Sequence, residues 1–170
     1  SAYVPIGAIT VGEEMYQAML DQSRKIGVFG HGFTYTAHPL AAAVAAKTLE
    51  IYERMDIVNV VRGVQPTFEA RVARLGEHPL VGNTRAKGLL GAIELAKDPA
   101  NRVAFDPSAA VGAKLAAACQ AHGLILRNMA GDILAFCPPL IITESEINEM
   151  FDRVEKALDD TAAWVAKEGH

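Results

Sequence analysis

LILRNMAGDILAFCPPL, residues 124–140, sets two short apolar runs on either side of Met129-Ala130-Gly131-Asp132. Glycine and aspartate are turn formers, so the stretch is expected to fold as a hairpin with strands over 124–128 and 133–137. Just downstream, Thr143-Glu144-Ser145-Glu146 has the spacing of a capping box, in which the Thr143 hydroxyl accepts from the Glu146 N–H and the Glu146 carboxylate reaches back. Ile147, Met150, Phe151, Val154 and Leu158 then recur on one face of a closing helix. Upstream, Asp106-Pro107-Ser108 opens a helix that Gly123 ends. A hairpin held between two helices implies an α+β unit.

Working outward, GEHPLVGNTRAKGLLGAIEL brings strand signals, with Leu89, Ile93 and Leu95 apolar and Gly88 and Gly91 marking a bulge or a close backbone contact. Val60 to Leu75 reads as helical, interrupted or kinked at Gly63 and Pro66, with a break near Asp56. Pro39 suits the first position of an alanine-rich helix running to Met55, because the N–H it lacks would be unpaired there. The alanines either let another backbone approach or simply favour the helix. A first helix is expected around Gly12 to Gln22, and Ala2 to Thr10 is expected to be a buried strand containing Pro5. An apolar beginning without methionine reads as the continuation of a longer chain.

Composition excludes several classes of function. The 170 residues carry 16 basic and 20 acidic side chains, and the basic ones are scattered rather than striped. That argues against nucleic acid and against a polybasic membrane contact. No apolar run reaches the ~18 residues of a membrane span. Cys119 and Cys137 sit among apolar neighbours without ligand spacing, and are read as reduced, buried thiols of a cytoplasmic protein with no metal site.

Two stretches could carry chemistry. HGFTYTAHP, residues 31–39, places hydroxyls and small residues ahead of a helix N-terminus. Backbone N–H groups, the Thr34 and Thr36 hydroxyls and the helix dipole favour a phosphate or carboxylate. The alternative is that Thr36 caps the helix and the rings pack as a lid. No acid on the loop orients His31 or His38 as a base. In the second stretch Arg127 is the one charge of the first hairpin strand, and it is read as facing away from Ile125. Its guanidinium suits bidentate capture of a carboxylate, from a substrate or from Asp132.

Taken together, the SAYVPIGA opening, the GHGFTYTAHP loop before an alanine-rich helix, Arg85-Ala86-Lys87-Gly88-Leu89, and the run from Leu124 through Arg127 and Asp132 to PPL and the Thr143 helix resemble the class III aminotransferases. The likeness spans essentially the whole chain and is nearest the omega-amino acid or amine:pyruvate branch. It implies an α/β fold, fold type I of the pyridoxal-phosphate enzymes, represented here by its C-terminal part. Residues 1–35 would end the large cofactor-binding domain, 36–75 would be connecting helices, and 76–170 would form the small α+β domain. The resemblance implies that Gly32, Phe33 and Thr34 contact the phosphate of pyridoxal 5'-phosphate held mainly by a neighbouring subunit, and that Arg127 pairs with the substrate carboxylate. It implies small amine and keto-acid substrates, pyruvate among the latter, and a homo-oligomer, dimer or tetramer, with the active site at the subunit interface. The family's cofactor-bearing lysine is expected just ahead of Ser1, and none of the lysines present stands in its context. No catalytic residue is therefore assigned, and these residues alone are expected to be inactive. Two alternatives stay open: a free-standing module that binds a small carboxylate through Arg127, and an aminomutase or decarboxylase on the same scaffold.

Overall fold

The computed structural model describes residues 4–169 and divides into two compact units, Ser1–Met55 and Asp56–His170. In the first, residues 5–12 form neither helix nor strand, and Ile6 and Ile9 are exposed. The strand expected over Ala2 to Thr10 is thus not found among the described residues, and its first two positions, Ala2 and Tyr3, lie outside them. A strand needs a neighbour to take its backbone groups, and Pro5 offers no N–H. Helix α1, Glu13–Ile26, follows, with Glu13 and Glu14 in its first turn, Arg24 and Lys25 in its last, and Gly27 at φ 77° closing it. Both charge placements complement the helix dipole. The helix buries none of its residues. Helix α2, Pro39–Met55, begins at the expected proline.

Asp56 in the left-handed region (φ 49°) separates α2 from α3, Ile57–Leu75. Helix α3 runs without interruption through Gly63 and Pro66, the expected break sites, and buries Phe68, Val72 and Leu75 beyond them. Burial of such side chains, about 1.5–3 kcal/mol each, compensates for the backbone hydrogen bond that proline removes. The compact unit therefore includes α3.

Where one strand was expected after residue 76 there are two, β1 (Val81–Lys87) and β2 (Leu90–Leu95), antiparallel about Gly88 at φ 61°. Glu69 of α3 accepts from the Gly88 N–H at 3.1 Å and so ties this turn to the helix. The register irregularity falls between Val81 and Asn83, not at Gly91. Gly91 instead provides a close approach, since a Cβ there would meet Phe68 and Val72 at 3.1 Å.

Asp106 caps a 3-10 turn, Pro107–Ala109, accepting from the Ser108 N–H at 2.8 Å, before helix α4, Val111–Ala121. The second hairpin is β3 (Arg127–Met129) and β4 (Ile133–Phe136). Strand β3 starts three residues later than expected because Gly123, at φ 77°, turns the chain so that the Leu124 N–H donates to Cys119 of α4. Pro138 and Pro139, which have no N–H, follow the end of β4. The sheet order is β1-β2-β4-β3, all antiparallel, with β1 and β3 at its edges.

Helix α5, Glu144–Glu168, carries the expected capping box and buries Ile147, Met150, Phe151, Val154 and Leu158. Helices α3, α4 and α5 form one layer over the sheet, meeting Ile93, Leu95, Leu134 and Phe136. At the centre the Phe151 ring lies 5.5 Å from that of Phe68 and 5.2 Å from that of Phe136. Arg71 clamps α3 to α5, donating to Asp152 at 2.6 Å and to Asn148 at 3.1 Å, with its guanidinium 5.7 Å from the centre of the Phe151 ring.

His78 sits where the chain leaves α3. Its Nδ1 accepts from the Leu80 N–H at 3.2 Å and its Nε2 lies 3.5 Å from Asp159. Burial lowers its pKa below the ordinary 6.5, outweighing the opposing effect of Asp159. Protonating Nδ1 would also break its bond with Leu80. Because the folded pKa lies below the unfolded one, the contribution of His78 to stability is complete above about pH 6.5 and declines as pH falls through the folded value. Thermal unfolding of the protein should show this decline in Tm just below pH 6.5, and His78→Gln should flatten that part of the profile.

Candidate functional site

The first candidate stretch folds as a chain of rings and a turn. Extended backbone puts alternate residues on one side, so Phe29, His31 and Phe33 stack edge to face, with ring centres 6.1 and 5.5 Å apart. Residues 33–36 then turn. The Thr36 N–H donates to the Phe33 carbonyl at 2.9 Å, and the Thr36 hydroxyl accepts from the Phe33 N–H at 2.9 Å. Thr36 therefore closes the turn on itself and does not cap α2. Ala37 at φ 56° redirects the chain into the helix, and the Ala42 N–H donates to His38.

Thr34 stands exposed at the tip of this turn, and among the described residues neither its hydroxyl nor its N–H has a partner. Gly32 has open space where a Cβ would stand. Phe33 and Tyr35 are 77% and 80% exposed, so the rings form no closed lid in this unit. Unpaired donors beside an open backbone suit the oxygens of an anion.

Arg127, in the other unit, begins the edge strand β3 opposite Ala135. Arg85, Ala92, Ala135 and Arg127 pair in register across all four strands, in the alternation that points away from the inward-facing Ile93 and Leu134. Arg127 lines an open groove of about 630 Å³ with Ile125, Ala135, Cys137, Pro138 and Ile142. Ile125 lines the same groove as Arg127, against the sequence expectation that the two face apart.

Asp132 is not its partner. The Asp132 carboxylate accepts from the Gly112 N–H at the start of α4, at 2.8 Å. The arginine ion pairs of this unit join Arg71, Arg74 and Arg153 to acids on α5 and Arg85 to Glu94 on β2, and none among the described residues includes Arg127. An exposed guanidinium without a protein carboxylate, on an apolar groove, has the donor geometry that can pair with a small carboxylate.

This geometry can be compared with known proteins. The model of the family described as "Aminotransferase class-III" matches residues 2–158. The chain belongs to the class III aminotransferases. A chloroplastic gamma-aminobutyrate transaminase of Solanum lycopersicum is 38% identical over 161 residues, covering 95% of this chain and 31% of the relative. A transaminase solved with L-alanine superposes with a TM-score of 0.83 at 41% identity, over 91% of this chain and 36% of that one. An aminotransferase of Vibrio fluvialis in its PMP-bound form gives 0.83 at 36% identity, over 90% and 34%. The chain thus spans about a third of the length of these aminotransferases, and its α/β fold matches their C-terminal part.

Cys137, expected to be buried, is exposed in the groove beside Arg127, while Cys119 is buried on α4. Its apolar neighbours in sequence do not bury it, because β4 ends at Phe136 and the chain leaves the layered core toward Pro138 and Pro139. Among the described residues no cluster of His, Cys, Asp or Glu could hold a metal, and no helix is long and apolar enough to cross a membrane. Burial pushes the Cys119 thiol up to about 11. A thiol reagent such as a disulfide dye should therefore label Cys137 first in the native protein and reach Cys119 only on unfolding, with mass mapping to assign the order.

Proposed function

We propose that these residues are the C-terminal portion of a class III aminotransferase that moves an amino group from an amine or omega-amino acid to a keto acid, pyruvate among them. The single observation that carries the reading is Arg127, an exposed guanidinium without a protein carboxylate, at the rim of an apolar groove. Two names among the relatives support the substrate class. Gamma-aminobutyrate is an omega-amino acid, and L-alanine is the amine counterpart of pyruvate.

The cofactor is pyridoxal 5'-phosphate, consistent with neighbours solved with PMP or PLP. When bound it supplies an electron sink for the bond-breaking at the substrate carbon. Gly32, Phe33 and Thr34 fit its phosphate alone: the hydroxyl and N–H of Thr34 donate, and Gly32 leaves the backbone accessible. The turn completes an anion site whose other walls come from elsewhere, in this reading from a second subunit, so the enzyme is a homo-oligomer. Residues 1–35 end the large domain and 36–75 connect it to the small domain of 76–170, onto which the last connecting helix, α3, packs. The lysine that carries the cofactor and moves the proton lies outside this chain, which alone is inactive. A cytoplasmic setting suits the two unpaired thiols.

Arg127 holds the substrate carboxylate and thereby orients the amino group toward the cofactor. Arg127→Ala in the holoenzyme should raise the apparent Kd for an omega-amino acid about ten- to a hundredfold, as expected for a lost charged hydrogen bond. A donor without a carboxylate should be spared. Single-turnover donor half-reactions, followed by the cofactor absorbance, separate the two cases, and equal losses on both donors would refute the role.

Thr34→Val should weaken cofactor retention by about one to two decades, the loss of one charge-assisted hydrogen bond of ~1.5–3 kcal/mol. Equilibrium dialysis of the resolved enzyme against cofactor measures it, and retention equal to wild type would remove the loop from the phosphate site.

A further inference from the structure

Strand β3 has little to hold it in place. It is three residues long, all three are exposed, it lies at the sheet edge, and it pairs only with β4. Yet it begins with Arg127, whose usefulness to a carboxylate depends on where the guanidinium stands. Strand β4 is fixed by its ladder to β2 and by buried Leu134 and Phe136, so what fixes β3 beyond its own pairing with β4 is concentrated at the turn. There Asp132 adopts φ 53°, its carboxylate accepts from the Gly112 N–H of α4 at 2.8 Å, and its carbonyl accepts from the Leu95 N–H of β2 at 3.1 Å. The approach is close enough to demand glycine at 112, because a Cβ there would stand 2.5 Å from Asn128 Oδ1 and 2.8 Å from Asp132 Cα.

One residue thus ties the hairpin both to the helix layer and to the inner strand, and Asn128, next to Arg127, lies against the same helix start. The same bond commits the Asp132 carboxylate to the positive end of α4. An acid five residues from Arg127 in sequence is thereby kept from neutralising it.

We propose that Asp132 is a positioning residue for Arg127, anchoring the β3–β4 hairpin on the N-terminus of α4 so that the strand bearing Arg127 is held in place while its guanidinium is left free for a substrate carboxylate. This rests on the assignment of Arg127 to the carboxylate made above. The aspartate touches no substrate and acts only through the strand it anchors.

The test uses the holoenzyme and single-turnover donor half-reactions with an omega-amino acid and with an amine that has no carboxylate. Asp132→Gly removes the carboxylate while keeping a residue at ease at positive φ, so the turn itself is preserved. It should raise the apparent Kd for the omega-amino acid roughly three- to tenfold and leave the plain amine within twofold. Asp132→Asn keeps an acceptor oxygen and tolerates the same backbone, and should restore the wild-type value. Gly112→Ala, with Asp132 intact, should reproduce the selective loss from the other side of the contact.

In an Arg127→Ala background, adding Asp132→Gly should cost nothing further. A loss that is equal on both donors, an unchanged omega-amino acid Kd in Asp132→Gly, or a further loss in the double variant would overturn the proposal while leaving Arg127 in its role. If Arg127→Ala itself fails to discriminate the two donors, the assignment of Arg127 falls and the proposal falls with it.

Discussion

The second unit depends on the contact of three phenylalanines, Phe151 between Phe68 and Phe136. Those rings come from α5, α3 and β4, so one cluster joins both long helices to the sheet. All three are fully buried, and aromatic pairs in tilted or edge-to-face geometry add about 0.5–1.5 kcal/mol each to what burial alone supplies. The capping box at Thr143 starts α5 at a defined residue, and that start sets which residues of the helix face Phe68. Arg71, lying over the Phe151 ring and bonded to Asp152 and Asn148, keeps α3 and α5 in the same relation from the outer side.

A sheet covered by helices on one face has its other face available, and here that face carries Arg127. Ile93, Leu95, Leu134 and Phe136 turn toward the helices, so the intervening positions, among them Ala92, Ala135 and Arg127, turn away. Small alanines leave the sheet surface low between Arg85 and Arg127. Of those two arginines, Arg85 pairs with Glu94 and Arg127 with no described acid. The first unit has the opposite character. Its helix α1 buries nothing, and Ile6, Ile9, Met15, Tyr16, Phe33 and Tyr35 are all exposed, more apolar surface than such a short segment keeps in water without other surfaces to cover it.

Much of this was legible in the sequence wherever a local rule decides the outcome. Pro39 as a helix start, Asp56 as a break, the Thr143 box and the turn after Met129 each depend on a few neighbouring residues, and periodicity named the buried face of α5 correctly. Rules of that kind failed where distant packing or a missing neighbour decides. Local rules allow an interruption or a kink at Pro66, but α3 continues through it and buries Phe68 and Val72 beyond. Ala2 to Thr10 has the composition of a strand, but no ladder receives it among the described residues. Cys137 follows an apolar run and still reaches solvent.

The site residues divide along the same line. That Thr34 sits on a turn ahead of a helix is visible from spacing, but the use of Thr36 to close that turn on Phe33 depends on a backbone geometry that spacing does not encode. Arg127 and Asp132 make the point more sharply. Two opposite charges on one hairpin invite a salt bridge, and sequence separation alone cannot exclude it. The turn does: at φ 53° Asp132 sits within 2.8 Å of the Gly112 N–H, an orphan donor at the start of α4 that would otherwise lack a partner. Satisfying a part-buried backbone donor outweighs an exposed ion pair, which is worth only about 0–1 kcal/mol. The preference that stabilises α4 is therefore also what leaves Asp132 unavailable to the arginine, so the capping of the helix and the freedom of the Arg127 guanidinium from this acid are consequences of a single hydrogen bond.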